Sequence, residues 1–403
     1  MTTTARFRHG TVFLVILTGL LAVQPISTDF YLPTLPSLTR AFGADTATVT
    51  WTLSALVGSF GLTQLFVGPL ADRYGRKPVV LCGFALYCAA SLLAMAAPAI
   101  EALIACRAVQ GIGVACGFVV GRALIRDLFT PDEGARVMAH GFTWMSLVPL
   151  FGPFIGGTLD ARIGWQAAFA VLAAYSGAMF ALCALRLPET LAQPNPQATR
   201  LAPLLRNYAA IARHPAFAAF TAATACSYAG LFAFISGSSF VFIQIFGLGR
   251  QAYGLAFGGI VLGYLLGTML CRRLVPRLGL QRTLAAGGAV SLASGAAMAL
   301  LVLAGVWHPL ALLLPHFGFM VAHGIVQPTG QTGCIAPFAQ MAGAAAALNG
   351  FAQMMVAVAV GGWIGASFDH TPRPLALTIF AASCGVGLAS LWLVPRARAG
   401  ARA

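Results

Sequence analysis

Acidic residues are scarce in this chain. Its 403 residues include 10 Asp and Glu, and charged residues of both signs make up 8% of the total, against about 25% in an ordinary soluble domain. That deficit excludes a soluble multidomain protein, because too little polar surface exists to cover a core of this length, and it excludes a charge-rich disordered chain. Lysine is nearly missing, with Lys77 the only one. It follows Arg76 rather than glycine, so no Walker A phosphate loop is encoded and with it no ATP-driven motor. No Gly-x-Ser-x-Gly elbow and no His-Glu-x-x-His helix occurs, which removes two common hydrolase designs. The nine cysteines, Cys82, Cys88, Cys106, Cys116, Cys183, Cys226, Cys271, Cys334 and Cys384, contain no Cys-x-x-Cys pair and all fall in apolar segments. They read as packing residues, so neither a disulfide framework, a metal site nor a cofactor is expected.

What the chain has in quantity is apolar sequence. Hydrophobic residues make up 59% and mean hydropathy is +0.84. A spanning helix needs about 20 apolar residues. Twelve such spans fit, at 11–37, 48–71, 78–98, 100–124, 136–160, 164–187, 215–246, 251–275, 282–305, 308–331, 342–366 and 374–395. The apolar segments are continuous rather than alternating, which argues against a β-barrel. The expected fold is an all-α membrane protein of twelve transmembrane helices. The segment after Arg8 runs on through Asp29 without a cleavage pattern and is kept as the first span.

The net charge of +14 would suggest a nucleic-acid partner in a soluble protein. Here its placement gives another explanation. Of the 24 basic residues, 19 fall in segments on one side of the twelve-span layout, from Arg6 and Arg8 to Arg396, Arg398 and Arg402. Arg40, Arg162, Arg250 and Arg373 fall on the other side, and Arg107 falls within a span. This is the positive-inside bias and places both termini in the cytoplasm, with the lipid bilayer as partner and no nucleic acid.

One connection is long. Residues 188–214 carry Pro188, Pro194, Pro196 and Pro203 with Arg200, Arg206 and Arg213, and read as a cytoplasmic linker between bundles at 1–187 and 215–403. A shift of 204 residues lays Leu274-Val-Pro-Arg277-Leu-Gly279 over Leu70-Ala-Asp-Arg73-Tyr-Gly75. With equal span counts on either side, this supports two pseudo-symmetric six-helix bundles derived by duplication.

Asp29 is the one acidic residue well inside an apolar stretch, in Gln24-Pro25-Ile-Ser-Thr-Asp29-Phe-Tyr31-Leu-Pro33. A carboxylate in hydrocarbon costs about 2.5–3.5 kcal/mol on insertion scales and marks a cavity or a partner. Desolvation favours the neutral acid and a nearby cation favours the ion, so a group held between them can load and release a proton near neutral pH. The competing reading is an interfacial acid at an irregular helix end, since Pro33 and Pro36 follow. Arg107 must find acceptors, because it stays charged. It either pairs with Asp29 and sets its proton affinity or binds carbonyls and holds helices together. Pro149, Gly152, Pro153, Gly156 and Gly157 give the fifth span a bent, small-residue surface that another helix can approach closely. In the tenth span His316, His323, Gln327 and Gln331 recur at helical spacing and either line a polar cavity or bond to a neighbouring helix. Tyr228 and Phe232 of the seventh span, with Asn349 and Gln353 of the eleventh, are further cavity candidates, against ordinary packing.

Residues 68–78, Gly68-Pro-Leu-Ala-Asp72-Arg73-Tyr-Gly75-Arg76-Lys77-Pro, resemble the loop signature of the major facilitator superfamily. Arg107-Ala-Val-Gln110-Gly111-Ile-Gly113 resembles its fourth-span motif, and Gly152-Pro153-Phe-Ile-Gly156-Gly157 its antiporter motif. Asp29-Phe-Tyr31-Leu-Pro33-Thr-Leu-Pro36 and Leu187-Pro188-Glu189-Thr190-Leu191 resemble the Bcr/CflA-type drug–proton antiporter branch. The resemblance implies proton-driven export of small hydrophobic or cationic drugs by a monomer in the bacterial inner membrane. In it Asp29 is the proton switch, Arg107 its partner and Tyr31 a cavity residue, while Asp72 latches the outward-facing state against a helix end or an arginine. The rival is a proton-coupled nutrient or metabolite carrier on the same fold. Two departures stand out: Gln166 where the family has arginine, and Pro276 at the second-half position of Asp72.

Overall fold

The computed structural model describes residues 10–191 and 193–399; Arg6, Arg8 and Arg402 lie outside the described residues. All regular structure among them is helical. This follows from the solvent: a backbone in hydrocarbon must satisfy its own N–H and C=O groups, and a helix does so within one segment.

The chain runs through α1 (Thr11–Asp29), a 3₁₀ turn at Leu32–Thr34, α2 (Leu35–Phe42), α3 (Thr46–Tyr74), α4 (Arg76–Met95), α5 (Ile100–Leu128), α6 (Pro131–Met145), α7 (Leu147–Arg162) and α8 (Gln166–Arg186). After the linker follow α9 (Leu201–Ala212), α10 (Pro215–Ser239) with a π turn at Phe240–Ile245, α11 (Arg250–Leu303), α12 (Pro309–Ile335), α13 (Ala342–Ala366), α14 (Arg373–Leu388), a second π turn at Ala389–Leu393, and α15 (Val394–Ala399). Asp45 caps α3: it accepts from the Thr48 amide at 2.7 Å, and its bonds from the Thr48 side chain and amide hold its carboxyl below the usual carboxylate range.

Among the described residues, ten helical segments are long and apolar enough to cross a membrane, and the two departures from the expected twelve have local causes. The expected fifth span breaks into α6 and α7 at Ser146. Pro149 lacks an N–H and its ring crowds the carbonyl four residues earlier, that of Met145, where α6 stops. The expected eighth and ninth spans instead join as α11, whose one non-helical residue is Gly279 at φ 77°, ψ 166°. Gly75, between α3 and α4, has φ 103°, ψ 157°. These are the two glycines that the 204-residue shift superposes, and both hold a backbone shape that only glycine adopts readily.

Two compact units result. One comprises Ala55–Leu204 with the chain up to Ala44; the other comprises Asp45–Ser54 with the chain from Leu205 onward. The division falls inside α9 rather than at the ends of the proline-rich segment. In the first unit α5 packs on α1 and α4, and α8 on α4; in the second α11 packs on α12 and α14, and α10 on α12, α13 and α14.

Candidate functional site

The site begins with how α1 ends. Pro25 removes one helical hydrogen bond, and the helix stops at Asp29. The Tyr31 amide turns to the Thr28 carbonyl at 3.1 Å, so the Ser27 carbonyl loses the donor that a continuing helix would supply. Arg107 of α5 fills that place: Nη2 donates to Ser27 O at 2.9 Å and Nη1 to Gln110 Oε1 at 2.8 Å. Its guanidinium lies 4.3 Å from the centre of the Tyr31 ring. A fully buried arginine is thereby given carbonyl acceptors, an aromatic face and the negative end of a helix dipole.

The network continues behind Arg107. Gln110 Nε2 donates to Ser91 Oγ at 2.8 Å, and Ser91 Oγ donates to Tyr87 O at 2.7 Å. The Tyr87 hydroxyl returns to α1 at Ser27 Oγ, 2.6 Å away. Three helices, α1, α4 and α5, are tied together at the level where α1 breaks.

Asp29 itself is 4% exposed. Its Oδ1 is 2.9 Å from Thr28 Oγ1. That hydroxyl also lies 3.2 Å from Pro25 O and has one proton to share. Asp29 Oδ2 is buried and has no hydrogen-bond partner. Of the two expectations for Arg107, a direct pair with Asp29 and a clasp on carbonyls, the structure has the clasp. The guanidinium bonds two residues before the acid and fixes the helix end that carries it. Tyr31 lies beneath Arg107 and edge-on to Phe169 at 5.4 Å, fully buried in the first unit.

Helix α7 closes against the same helix end. A Cβ on Gly152 would stand 3.1 Å from Asp29 Cβ, and one on Gly156 would overlap the Phe30 carbonyl oxygen. Gly152, Pro153, Gly156 and Gly157 are all buried. Further along, Ser37 donates to Asp160 at 2.7 Å.

The signature loop forms a second cluster in the same unit. Arg76, 2% exposed, reaches Asp72 at 2.6 Å and Asp127 of α5 at 2.9 Å. Arg126 stands 3.8 Å from Asp72. Arg73 donates to Thr199 at 2.6 Å. Glu189 caps α4, accepting from the amides of Arg76 at 3.0 Å and Lys77 at 3.1 Å. Gly75 leaves room for that carboxylate, since a Cβ there would come 2.5 Å from Glu189 Oε2. A Cβ on Gly68 would meet nothing within 4 Å, so space does not require glycine there.

In the second unit, polar residues of three helices meet. His323 Nδ1 and Ser227 Oγ are 2.8 Å apart. Gln327 donates to Thr224 O at 3.0 Å, and Thr224 Oγ1 is 2.9 Å from Asn349 Oδ1. Gln353, one turn beyond Asn349, is buried as well. Tyr228 stacks on Phe232 at 6.4 Å. His316, two turns before His323 on the same helix, is not hydrogen-bonded into this cluster. Its ring stacks on Phe234 at 3.9 Å and on Phe319 at 5.4 Å.

Sequence reasoning did not assign Ser27, Thr28, Tyr87 and Ser91 to the acid's surroundings, nor Asp127 to the signature loop. Their partners lie up to 80 residues away, and no local pattern marks such pairs.

The Major Facilitator Superfamily model matches residues 17–362. The chain is 28% identical over 371 residues to a bicyclomycin resistance protein homolog of Haemophilus influenzae, covering 91% of this chain and 92% of that one. It is 28% identical to multidrug resistance protein D of Escherichia coli, covering 84% of each. A solved peptide transporter crystallised with sulfate shares the fold at TM-score 0.76 and 13% identity, over 97% of this chain and 95% of that one.

Proposed function

The chain belongs to the major facilitator superfamily and is a multi-pass membrane transporter, and we propose that it exports small hydrophobic or cationic drugs in exchange for protons. The observation that carries this reading is Asp29: an acid at a broken helix end within a span, with one oxygen buried and unpartnered. Relatives named for bicyclomycin and multidrug resistance supply the substrate class, and the sequence carries no Walker A phosphate loop.

In this reading transport proceeds by alternating access. Deprotonated Asp29, open to the cytoplasm, favours the drug; protonation from the outer side favours its release. Arg107 and its hydrogen-bonded partners hold the helix end still while the carboxyl changes state. Both termini are cytoplasmic, the membrane is the bacterial inner membrane, and one acid moves one proton per cycle as a monomer. Within the second unit, the polar group of His323, Gln327 and Asn349, with Tyr228, Phe232 and Gln353, is the proposed set of substrate contacts.

The test is Asp29→Asn, which keeps shape and removes the titrating group. In a drug-susceptibility panel on an efflux-deficient host, the variant is expected to insert at wild-type level and give no protection. In vesicles it should no longer concentrate drug when a pH gradient is imposed. A variant that still concentrates drug against its gradient would show that coupling lies elsewhere.

A further inference from the structure

The two units treat their arginines differently. In the first, the carboxylates of Asp72, Asp127 and Glu189 surround the signature loop, and Arg76 is buried between two of them. In the second, whose acids are Asp45 and Asp369, no acidic residue occurs from Leu205 to Phe368. Yet Arg206, Arg213, Arg272, Arg273, Arg277 and Arg282 are all exposed there.

These arginines converge on one end of the unit. A single apolar cluster contains Ile211 of α9, Leu284 of α11 and Val394 of α15, with Leu280, Leu393 and Ala397 packed against it. Arg206 and Arg213 flank Ile211, Arg277 and Arg282 flank Leu280, and exposed Arg396 adjoins Ala397. The three segments therefore bring their cations to a common rim to which, among the described residues of this unit, no Asp or Glu belongs. Repulsion within such a rim is relieved by bound anions.

The rim is also apolar in a particular way. Leu205 is 60% exposed beside Arg206, and Leu278 is 42% exposed beside Arg277. Trp392 is 49% exposed with the Arg396 guanidinium 3.5 Å from its ring centre. A soluble polyanion would satisfy the cations and leave these side chains wet. A phospholipid meets both needs, with phosphate for the guanidinium and acyl chain for Leu and Trp. We propose that this rim, formed by α9, the Gly279 turn and the start of α15, is a binding surface for anionic phospholipid headgroups of the phosphatidylglycerol and cardiolipin class.

The experiment uses the purified full chain in detergent and native mass spectrometry, with phosphatidylglycerol and phosphatidylcholine of matched chains as probes. The wild type is expected to retain phosphatidylglycerol about ten-fold better or more, since each basic side chain near an anionic surface adds roughly a five-fold preference. The variant R272Q/R273Q/R277Q/R282Q should lose at least about ten-fold of that preference. Raising salt from about 0.05 to about 0.5 M should reduce retention of phosphatidylglycerol by the wild type and leave phosphatidylcholine unaffected. That arm needs no variant and decides the matter if the substituted chain does not fold. Equal retention of the two lipids, full preference in the variant, or indifference to salt would each overturn the proposal. So would displacement of phosphatidylglycerol by equimolar inorganic phosphate, which would mark a site for phosphate rather than for lipid.

Discussion

Arg107 holds a helix end, and its chemistry explains why the residue is arginine. Two forked donors meet Ser27 O and Gln110 Oε1 at 2.9 and 2.8 Å, while the flat ion lies on Tyr31. Lysine has one nitrogen on a flexible stem and cannot hold two divergent acceptors and stack as well. Arg107→Ala would leave both acceptors buried without their donor, at about 1–3 kcal/mol for each. The expected loss is about 2–6 kcal/mol of stability, read as an earlier unfolding midpoint in detergent, with Arg107→Lys falling between it and the wild type. Wild-type unfolding of Arg107→Ala would mean that the clasp is not what secures α1. The Asp29 carboxyl, two residues beyond Ser27, was evident from its rarity: one acid within apolar sequence is conspicuous. Its neighbours were not, because hydroxyls at Ser27, Tyr87 and Ser91 look like any others in a span.

At the scale of elements, contact between α1 and α7 is set by absent side chains. Gly156 places α7 directly on the Phe30 backbone, with Phe30 C and Cα 2.9 and 3.0 Å from where a Cβ would be. Backbone cannot rotate aside as a side chain can, so Gly156→Ala must push the helices apart. The expected cost is about 1–3 kcal/mol, with Gly152→Ala milder because its nearest contact is 3.1 Å from Asp29 Cβ. Gly259→Ala serves as the comparison, since nothing lies within 4 Å there; it should leave the unfolding midpoint unchanged or raise it slightly. Equal effects at Gly156 and Gly259 would mean that close approach is unimportant. The antiporter motif was legible as a string of Gly and Pro. That it abuts the acid's own helix end, and that Pro149 splits the span in two, depend on which helix lies alongside and on which carbonyl the ring meets.

At the scale of the molecule, the proposed one-proton cycle makes a prediction about charge. Exchange of one proton for a neutral drug moves net charge and should respond to voltage at about 2.3 kcal/mol per 100 mV, as well as to the pH gradient at about 1.4 kcal/mol per unit. Exchange for a monovalent cation should respond to the pH gradient alone. Proteoliposomes with a potassium diffusion potential, tested with one neutral and one cationic substrate, separate the two. Voltage-driven export of the monovalent cation would contradict the single-acid count.

Sequence by itself determined the solvent of this protein, the helical class of its fold and the recurrence of one motif in its two halves. Those properties are carried by composition, by runs of about 20 apolar residues and by a local match that places Gly75 and Gly279 in phase, and none of them needs a distant partner. Tertiary structure alone decided what Arg107 touches, that Glu189 caps α4, and that His316 stacks among phenylalanines while His323 joins a hydrogen-bonded group. Each of those depends on which atoms other helices bring within about 3–4 Å, and hydrogen bonds and close contacts of that range leave no trace in spacing along the chain.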